Sequence, residues 1–567
     1  AGTPERAALL RSLCDGRRVV IVLDNARDDA QVRDLLPGPG PLVLVTSRSQ
    51  LRGLTAREAA HRLALGPLSA PATAELLGDV LGTAPDTLDP AEVARLVDLC
   101  AGLPLAIRVV AERMARDGGT LADVLAELGA TNGLLDALGS GDDDLTDMRA
   151  VLSWSYRALD PHTARAFRLL GAQPGRDISL AAVAVLLGGS PGDTRRLLDR
   201  LVGAHLLTRH GQDRYGFHDL LRAYAAERFA SAGDDPAPIR RLLDWYVATA
   251  ANARQTMHPT AADSRIDLPD RSTAPTFQTL PDVLAWFTAE HPTLLAWIGY
   301  AYDAGVDNRC WQLAWAVGIF FARGSMFDSW VTACTTGLAA ARRDGVYLGQ
   351  AHMLNGLGGA YLTLDPARAT QCFGEVRDLA TAAHDTFLQA AALGNLAYVQ
   401  SNSGDYAAAL ANNLRAHDLY QNDPENVASL INSHINIGHQ LIKLGRYEEA
   451  IEHQKRGRAL VRSSGLDRLS CNLENNIGLA LAGLGRHAEA LAHFDRSLAT
   501  SRKLGFRMWI AATLEDRGVS LLALGDLAGA EESLREALDL LVELDLPNAD
   551  GVRAKLAAIP EHTVATS

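Results

Sequence analysis

Hydrophobic positions follow two rhythms along this chain. Near its start they form short unbroken runs, Val19-Val20-Ile21-Val22-Leu23 and Leu42-Val43-Leu44-Val45. Each run breaks off sharply into polar residues, Asp24-Asn25 after the first and Thr46-Ser47-Arg48 after the second. Such a run predicts a parallel strand buried on both faces, with the polar switch at its carboxyl end. His61-Arg62-Leu63-Ala64-Leu65 supplies a third strand candidate. Thr3 caps a first helix with Pro4 and Glu5 in its opening turn, and Asp28 to Leu36 reads as a second helix, stopped by Pro37-Gly38-Pro39-Gly40. Strand–helix–strand spacing of this kind predicts a parallel α/β domain over residues 1–68.

From Ala70 the rhythm turns helical, with a helical domain over 69–140. Residues 141–235 read as short helices followed by a two-strand wing, the second strand lying in Asp213-Arg214-Tyr215-Gly216-Phe217. That order predicts a winged helix. Arg195, Arg196, Arg200 and Arg209 could serve a DNA-facing helix there. Asp193 and Asp199 dilute them, so packing within the chain is the favoured role. Residues 236–343 read as a helical linker whose Trp286, Phe287, Trp311, Trp315 and Trp330 are core aromatics. Thereafter the pattern repeats. Gly438, Gly478 and Gly518 stand 40 residues apart, as do Gly445, Gly485 and Gly525. Gly445-Arg446-Tyr447-Glu448-Glu449-Ala450 matches Gly485-Arg486-His487-Ala488-Glu489-Ala490, and Gly404 and Leu364 open earlier copies. A small residue at the helix crossing, a turn glycine and an apolar stripe predict about five stacked helical hairpins over 344–556, with a tail at 557–567. The fold class is therefore mainly α: a remnant α/β domain, a helical domain, a winged helix and an α-solenoid.

Composition sharpens this. The net charge of −13 over 567 residues disfavours a dominant nucleic-acid face. Six scattered cysteines with no Cys-x-x-Cys pair indicate reduced, buried thiols rather than a zinc site or disulfide framework, and a cytoplasmic protein. No apolar run is long enough to span a membrane.

The chemistry sits at the polar switches. A carboxylate such as Asp24 at the carboxyl end of a parallel strand can hold Mg²⁺, directly or through water, beside a triphosphate. An ordinary core strand ending in an Asp/Asn turn fits the same residues. The two strands together resemble the Walker B and sensor strands of P-loop NTPases, with Arg48 placed to contact a γ-phosphate. Gly102-Leu103-Pro104-Leu105-Ala106 resembles the GLPLA motif of NB-ARC domains, the nucleotide switches of the STAND ATPase class. Phe217-His218-Asp219 resembles their MHD motif, with Phe replacing Met. By that resemblance Asp24, Asn25, Arg48, Pro104 and His218 bind ADP or ATP, with Mg²⁺ on Asp24 through water. Pro104 would lie near the adenine and His218 would contact the β-phosphate. The hairpins resemble tetratricopeptide repeats, which implies a protein or small-molecule ligand on a concave face.

A P-loop, Gly-x-x-x-x-Gly-Lys-Ser/Thr, is missing: the lysines are Lys443, Lys455, Lys503 and Lys555, and none follows a glycine. The sheet is therefore expected to lack a central strand and to keep a gap, and the chain is expected to be an N-terminally cut fragment, inactive as an ATPase as it stands. In order and content it resembles the large SARP-type (AfsR-like) transcriptional regulators of actinomycetes. That resemblance implies a nucleotide-switched regulator that meets DNA only through an upstream domain and can form a nucleotide-dependent oligomer. The rival reading is a non-catalytic repeat scaffold on a degenerate nucleotide fold.

Overall fold

The computed structural model describes residues 3–559, except 25, 27, 39, 48–50, 101, 129–147, 205, 212, 258–264, 422–426, 545 and 547. It falls into two compact units, Ala1–Ala304 and Gly305–Ser567.

The first unit opens with α1 (Thr3–Cys14), β1 (Val20–Leu23), α2 (Asp29–Asp34), β2 (Leu42–Val45) and α3 (Arg52–Arg57). The strands pair in parallel from Val20 opposite Leu42 to Leu23 opposite Val45. Two expectations fail here. No gap separates these strands: each satisfies the other's backbone N–H and C=O groups directly, which costs less than leaving them unpaired. Among the described residues the sheet is also covered on one face only. Leu23 and Val45 pack with Ala26, Val32 and Leu54 beneath, whereas Val20 and Val22 on the other face are each 61% exposed. The third strand candidate, 61–65, forms no strand, and Leu65 is 96% exposed. Five residues of mixed polarity are a weak strand signal when no third strand or covering layer rewards it.

Helices α4 (Ala70–Leu81), α5 (Pro90–Leu99), α6 (Pro104–Asp117) and α7 (Leu121–Leu128) follow, closing around fully buried Leu77, Leu96 and Ile107. After α8 (Met148–Arg157) come α9 (Pro161–Ala172), β3 (Asp177–Ser179), α10 (Leu180–Leu187), α11 (Pro191–Gly203), β4 (Thr208–His210), β5 (Arg214–Gly216) and α12 (Asp219–Ala232). The hairpin β4–β5 forms and takes β3 as a third antiparallel strand, in the order β3-β5-β4. α9 lies so close to α12 that a side chain at Gly171 would collide with Ala225. Arg214 ties the sheet to the helices beyond, α13 (Ala237–Met257) and α14 (Leu280–Asp303). Its guanidinium donates to both Asp177 carboxylate oxygens (3.1 and 2.6 Å) and to Glu290 Oε1 (2.5 Å). Glu290 is 2% exposed, and Tyr246 OH reaches its other oxygen at 3.4 Å.

The second unit is a stack of helical hairpins: α15–α16 (Asp307–Arg323, Phe327–Asp344), α17–α18 (Tyr347–Leu364, Pro366–Ala382), α19–α20 (Thr386–Asn402, Tyr406–Gln421), α21–α22 (Val427–Lys443, Tyr447–Ser464), α23–α24 (Ser470–Gly483, His487–Leu504) and α25–α26 (Arg507–Leu524, Leu527–Glu543), ending in α27 (Ala549–Ala557). The stack starts one hairpin before residue 344. That first pair lacks the turn-glycine phrase, and indole rings fill its interface with the next helix: a side chain at Gly349 would meet Trp311, and one at Gly359 would meet Trp330. The repeated glycines do two jobs. Gly445, Gly485 and Gly525 turn the chain at φ +72°, +73° and +78°, a left-handed conformation that disfavours a Cβ. Gly438, Gly478 and Gly518 leave room for Gln454, Phe494 and Leu534 of the partner helix. The alanine that follows each turn, at 369, 409, 450, 490 and 530, is fully buried.

Candidate functional site

Asp24 stands exposed just past β1. Crosslinks between the strand ends hold it: Thr46 N–H donates to Leu23 O at 2.9 Å, Ala26 N–H to Thr46 O at 2.9 Å, and Ser47 Oγ to Ala26 O at 2.6 Å. The Thr46 hydroxyl donates to Asp24 Oδ1. Parallel pairing thus brings the two polar switches to one sheet edge, and the short hydroxyls of the second strand orient the carboxylate of the first. Thr46 is the member of this edge that strand patterning alone does not single out. Asn25 and Arg48 lie outside the described residues. Among the described residues no three His, Cys, Asp or Glu side chains could together hold a metal. One oriented carboxylate fits Mg²⁺ that draws its other ligands from water and phosphate.

Pro104 opens α6 as its first residue, where its missing N–H costs nothing. The turn before it is set by Gly102, at φ +60°. A side chain there would lie 2.6 Å from Pro67 Cβ and 2.9 Å from Leu68 O, while Leu68 N–H donates to Gly102 O at 2.8 Å. Gly102 is therefore the point at which the segment leaving the sheet domain is pinned to the helical domain. Cys100 sits fully buried beside it, and burial pushes its thiol up to about 12, so it is an inert core thiol.

His218 occupies the N-cap position of α12, yet its side chain makes no capping bond. The residue is half-buried, and the ring of its neighbour Phe217 meets Phe167 edge-on at 5.3 Å. One turn on, Arg222 donates to Pro174 O at 2.5 Å and Gln173 O at 3.3 Å, fixing the start of α12 against the loop before β3. α12 also packs against α5, the helix that leads into the Gly102 turn. No hydrogen bond or ion pair joins Asp24, Pro104 and His218 to one another among the described residues. The fold links the Gly102 turn and the His218 helix through α5; Asp24 stands on the sheet edge with Thr46.

The arginines that could face DNA are engaged inside the chain. Arg195 pairs with Asp213 at 2.7 Å, Arg196 with Asp193 at 2.5 Å and Arg200 with Asp160 at 3.5 Å, and Arg209 lies over the Tyr215 ring at 5.9 Å.

In the second unit, first helices of successive hairpins also touch one another: α15 with α17, α17 with α19, α21 with α23 and α23 with α25. They form the inner layer. Positions 395, 436 and 476 on these helices are asparagines and 516 is an aspartate; the Asn476 amide is buried and donates to Ile435 O at 3.3 Å. Asn395 Nδ2 donates to Asn355 Oδ1 at 2.6 Å, and Asn475 Nδ2 to Asp516 Oδ2 at 3.0 Å. Burial raises the Asp516 carboxyl to about 6. No helix among the described residues is long and apolar enough to cross a membrane.

Tetratricopeptide repeat family models match residues 431–457 and 468–541. A regulatory protein, AfsR, from Streptomyces griseus is 34% identical over 478 residues, 82% of this chain and 48% of that protein. AfsR of Streptomyces coelicolor is 39% identical over 323 residues, 55% of this chain and 32% of that protein. The chain thus spans about half or less of the length of these relatives. A Pyrococcus horikoshii STAND protein with a tetratricopeptide repeat sensor aligns in structure over 95% of this chain and 77% of its own, at 14% identity and a TM-score of 0.40. By sequence the chain is a homologue of the AfsR regulatory proteins, and its C-terminal half is a tetratricopeptide repeat array.

Proposed function

We propose that this chain is the switch-and-sensor portion of a nucleotide-regulated transcriptional regulator of the cytoplasm. The observation that carries this reading is the 34% identity to a regulatory protein along 82% of the chain, with the repeat array attached. In this reading ADP is held by Asp24 through water-bound Mg²⁺, by the turn at Pro104 and by His218, while Arg48 senses a γ-phosphate. The Thr46–Asp24 bond supports Asp24 by orienting the carboxylate before any metal arrives. The idle imidazole of His218, at a helix start where a side-chain cap is usual, supports a role other than capping. The order helix, strand, two helices and two strands over 161–216 supports a winged helix, and the pairing of its arginines supports packing rather than DNA binding. The tetratricopeptide repeat models over 431–457 and 468–541 support a protein segment as the array's ligand. A ligand bound there would bias the nucleotide clamp, and nucleotide would bias ligand binding equally.

Calorimetric titration of ADP into the gene's full-length product, with Mg²⁺, tests the switch. His218→Ala and Asp24→Ala are each expected to weaken ADP at least tenfold. Unchanged affinity in both variants would leave the rival reading, a repeat scaffold on a degenerate nucleotide fold.

A further inference from the structure

The array is not evenly joined. Among the described residues, α19 and α21 touch less than any other successive first helices, so the hairpins α19–α20 and α21–α22 meet chiefly where α20 lies against α21. The two ends of that interface differ in chemistry. At one end Leu410 packs with Ile437 and Leu441, and Gln440 Nε2 donates to Ser401 Oγ at 3.2 Å. At the other end Ala416 and Leu419 pack within their own hairpin, with Ala390 and Leu393, while Ile431 and Ile435 pack with Val461 and Leu473 of α22 and α23. Across the joint there, His417 of α20 meets Ser433 and His434 of α21, a hydrogen bond links Tyr420 to Ser429, and His434 meets His453 of α22.

We propose that this joint is a proton-operated hinge. A charge on His417 or His434 opens the polar end of the α20–α21 interface, the apolar end around Leu410 serves as the pivot, and acidification thereby parts hairpin α19–α20 from hairpin α21–α22 on one side.

The hydrogen bonds require neutral rings. Ser433 Oγ donates to Leu430 O at 2.7 Å, so it accepts from His417 Nδ1, also at 2.7 Å. His417 Nε2 is then the bare nitrogen, and Gln421 Nε2 donates to it at 2.6 Å. A proton on Nε2 would set N–H against N–H. Gln421 can answer by turning its amide over, but the charge then sits in a 6% exposed residue whose ring centroid lies 4.5 Å from that of His434, itself 5% exposed. His434 Nδ1 and His453 Nδ1, 3.2 Å apart, share one N–H. Half-buried His453 can keep one added proton by becoming the donor; a second, on His434, has no acceptor across that bond.

Burial, then the neighbouring rings and Arg456, hold His434 at about 3, and burial is also the first cause lowering His417 and His453. A histidine held below its unfolded value of about 6.5 stabilises the closed joint fully above that value and loses the contribution as pH falls through it. In that window the open joint takes up protons that the closed one refuses. The surrounding charges do not reverse this. α19 carries none. Asp418 of α20 and Glu449 and Glu452 of α22, all exposed, favour a charged ring, and Arg456, paired with Glu452 at 3.4 Å, opposes it. On α21, Lys443 acts on His439, and Glu474 of α23 is engaged by Arg458, Arg496 and His493.

Hydrogen–deuterium exchange of the 567-residue chain at pH 7.5 and pH 5.5, corrected for intrinsic exchange at each pH, tests the hinge without nucleotide or ligand, so its failure leaves the switch reading untouched. Amides of 413–421 and 427–436 should lose about 100-fold of their protection at pH 5.5, about tenfold for each of two rings that are neutral when closed and titrate near 6.5 when open. Amides of α25 and α26 should lose far less. His417→Gln and His434→Gln should each cut the loss to about tenfold. His493→Gln, in the repeat where the ring already faces a carboxylate, should leave it unchanged. Melting at pH 7.5 shows which variants fold, and the parent chain alone decides the first point. Protection that does not change with pH, an equal loss in α25 and α26, or a full loss persisting in both variants would overturn the hinge.

Discussion

Glu474 is 7% exposed, and its carboxylate survives burial because three cationic or hydrogen-bonding groups surround it. His493 stands at 2.6 Å, Arg496 at 3.1 Å and Arg458 at 3.2 Å. Burial alone would raise its pKa; the bonds from His493, Arg458 and Arg496 outweigh it and hold the group at about 2. A depressed carboxyl pKa stabilises the fold above the unfolded value and loses that contribution as pH falls toward the folded value. Glu474→Gln should therefore lower stability at pH 7 by about 2 kcal/mol, the scale of a lost charge-assisted bond with partly solvated partners. The deficit relative to the parent chain should shrink between pH 4.5 and pH 2, and urea melts of the array signal across that range measure it. A deficit that stays constant with pH would show that Glu474 acts through packing alone. At this scale the sequence was legible where spacing carries the information. The place of Asp24 just past a strand was readable from its run of apolar residues. The Thr46 hydroxyl that orients it was not, because strand register, not sequence distance, sets that contact.

Turns and strands show where patterning succeeds and where it fails. The 40-residue glycine phrase marks the hairpin turns because a left-handed residue is required at each, and at Gly445, Gly485 and Gly525 a Cβ would meet nothing within 4 Å. Gly102 differs: it has the same backbone sign but also Pro67 and Leu68 against it. Gly485→Ala should cost about 1 kcal/mol, the left-handed penalty alone. Gly102→Ala should cost about 2–4 kcal/mol, because steric overlap with fixed backbone adds to that penalty. Melting of the two variants side by side checks the order, and equal losses would mean that Leu68 yields freely. The third strand failed for the opposite reason. A strand is stabilised by its neighbours, and the five residues from His61 carry no information about whether a neighbour exists. The first hairpin of the array escaped patterning as well, since Trp311 and Trp330 fill by volume what the later repeats fill by a fixed phrase.

At the scale of the whole molecule, charge decides which partners the chain can meet by itself. The chain carries 54 basic and 67 acidic residues, and within the first unit Arg195, Arg196 and Arg200 are already matched by Asp213, Asp193 and Asp160. Binding to DNA releases counterions in proportion to the phosphates neutralised, so a face whose arginines are internally paired gains little from the encounter. Each exposed pair is itself worth only a few tenths of a kcal/mol, so pairing does not lock the side chains; it removes their net charge. Duplex DNA added to this chain at about 0.15 M salt should therefore give no saturable rise in fluorescence anisotropy at micromolar protein. Reversing Arg195 and Arg200 to Glu should change neither that result nor the melting temperature by more than a degree or two, given the small value of exposed pairs. If instead the parent chain binds and the double variant does not, α11 is a DNA-reading helix after all. The local field of four arginines would then outweigh a net charge of −13.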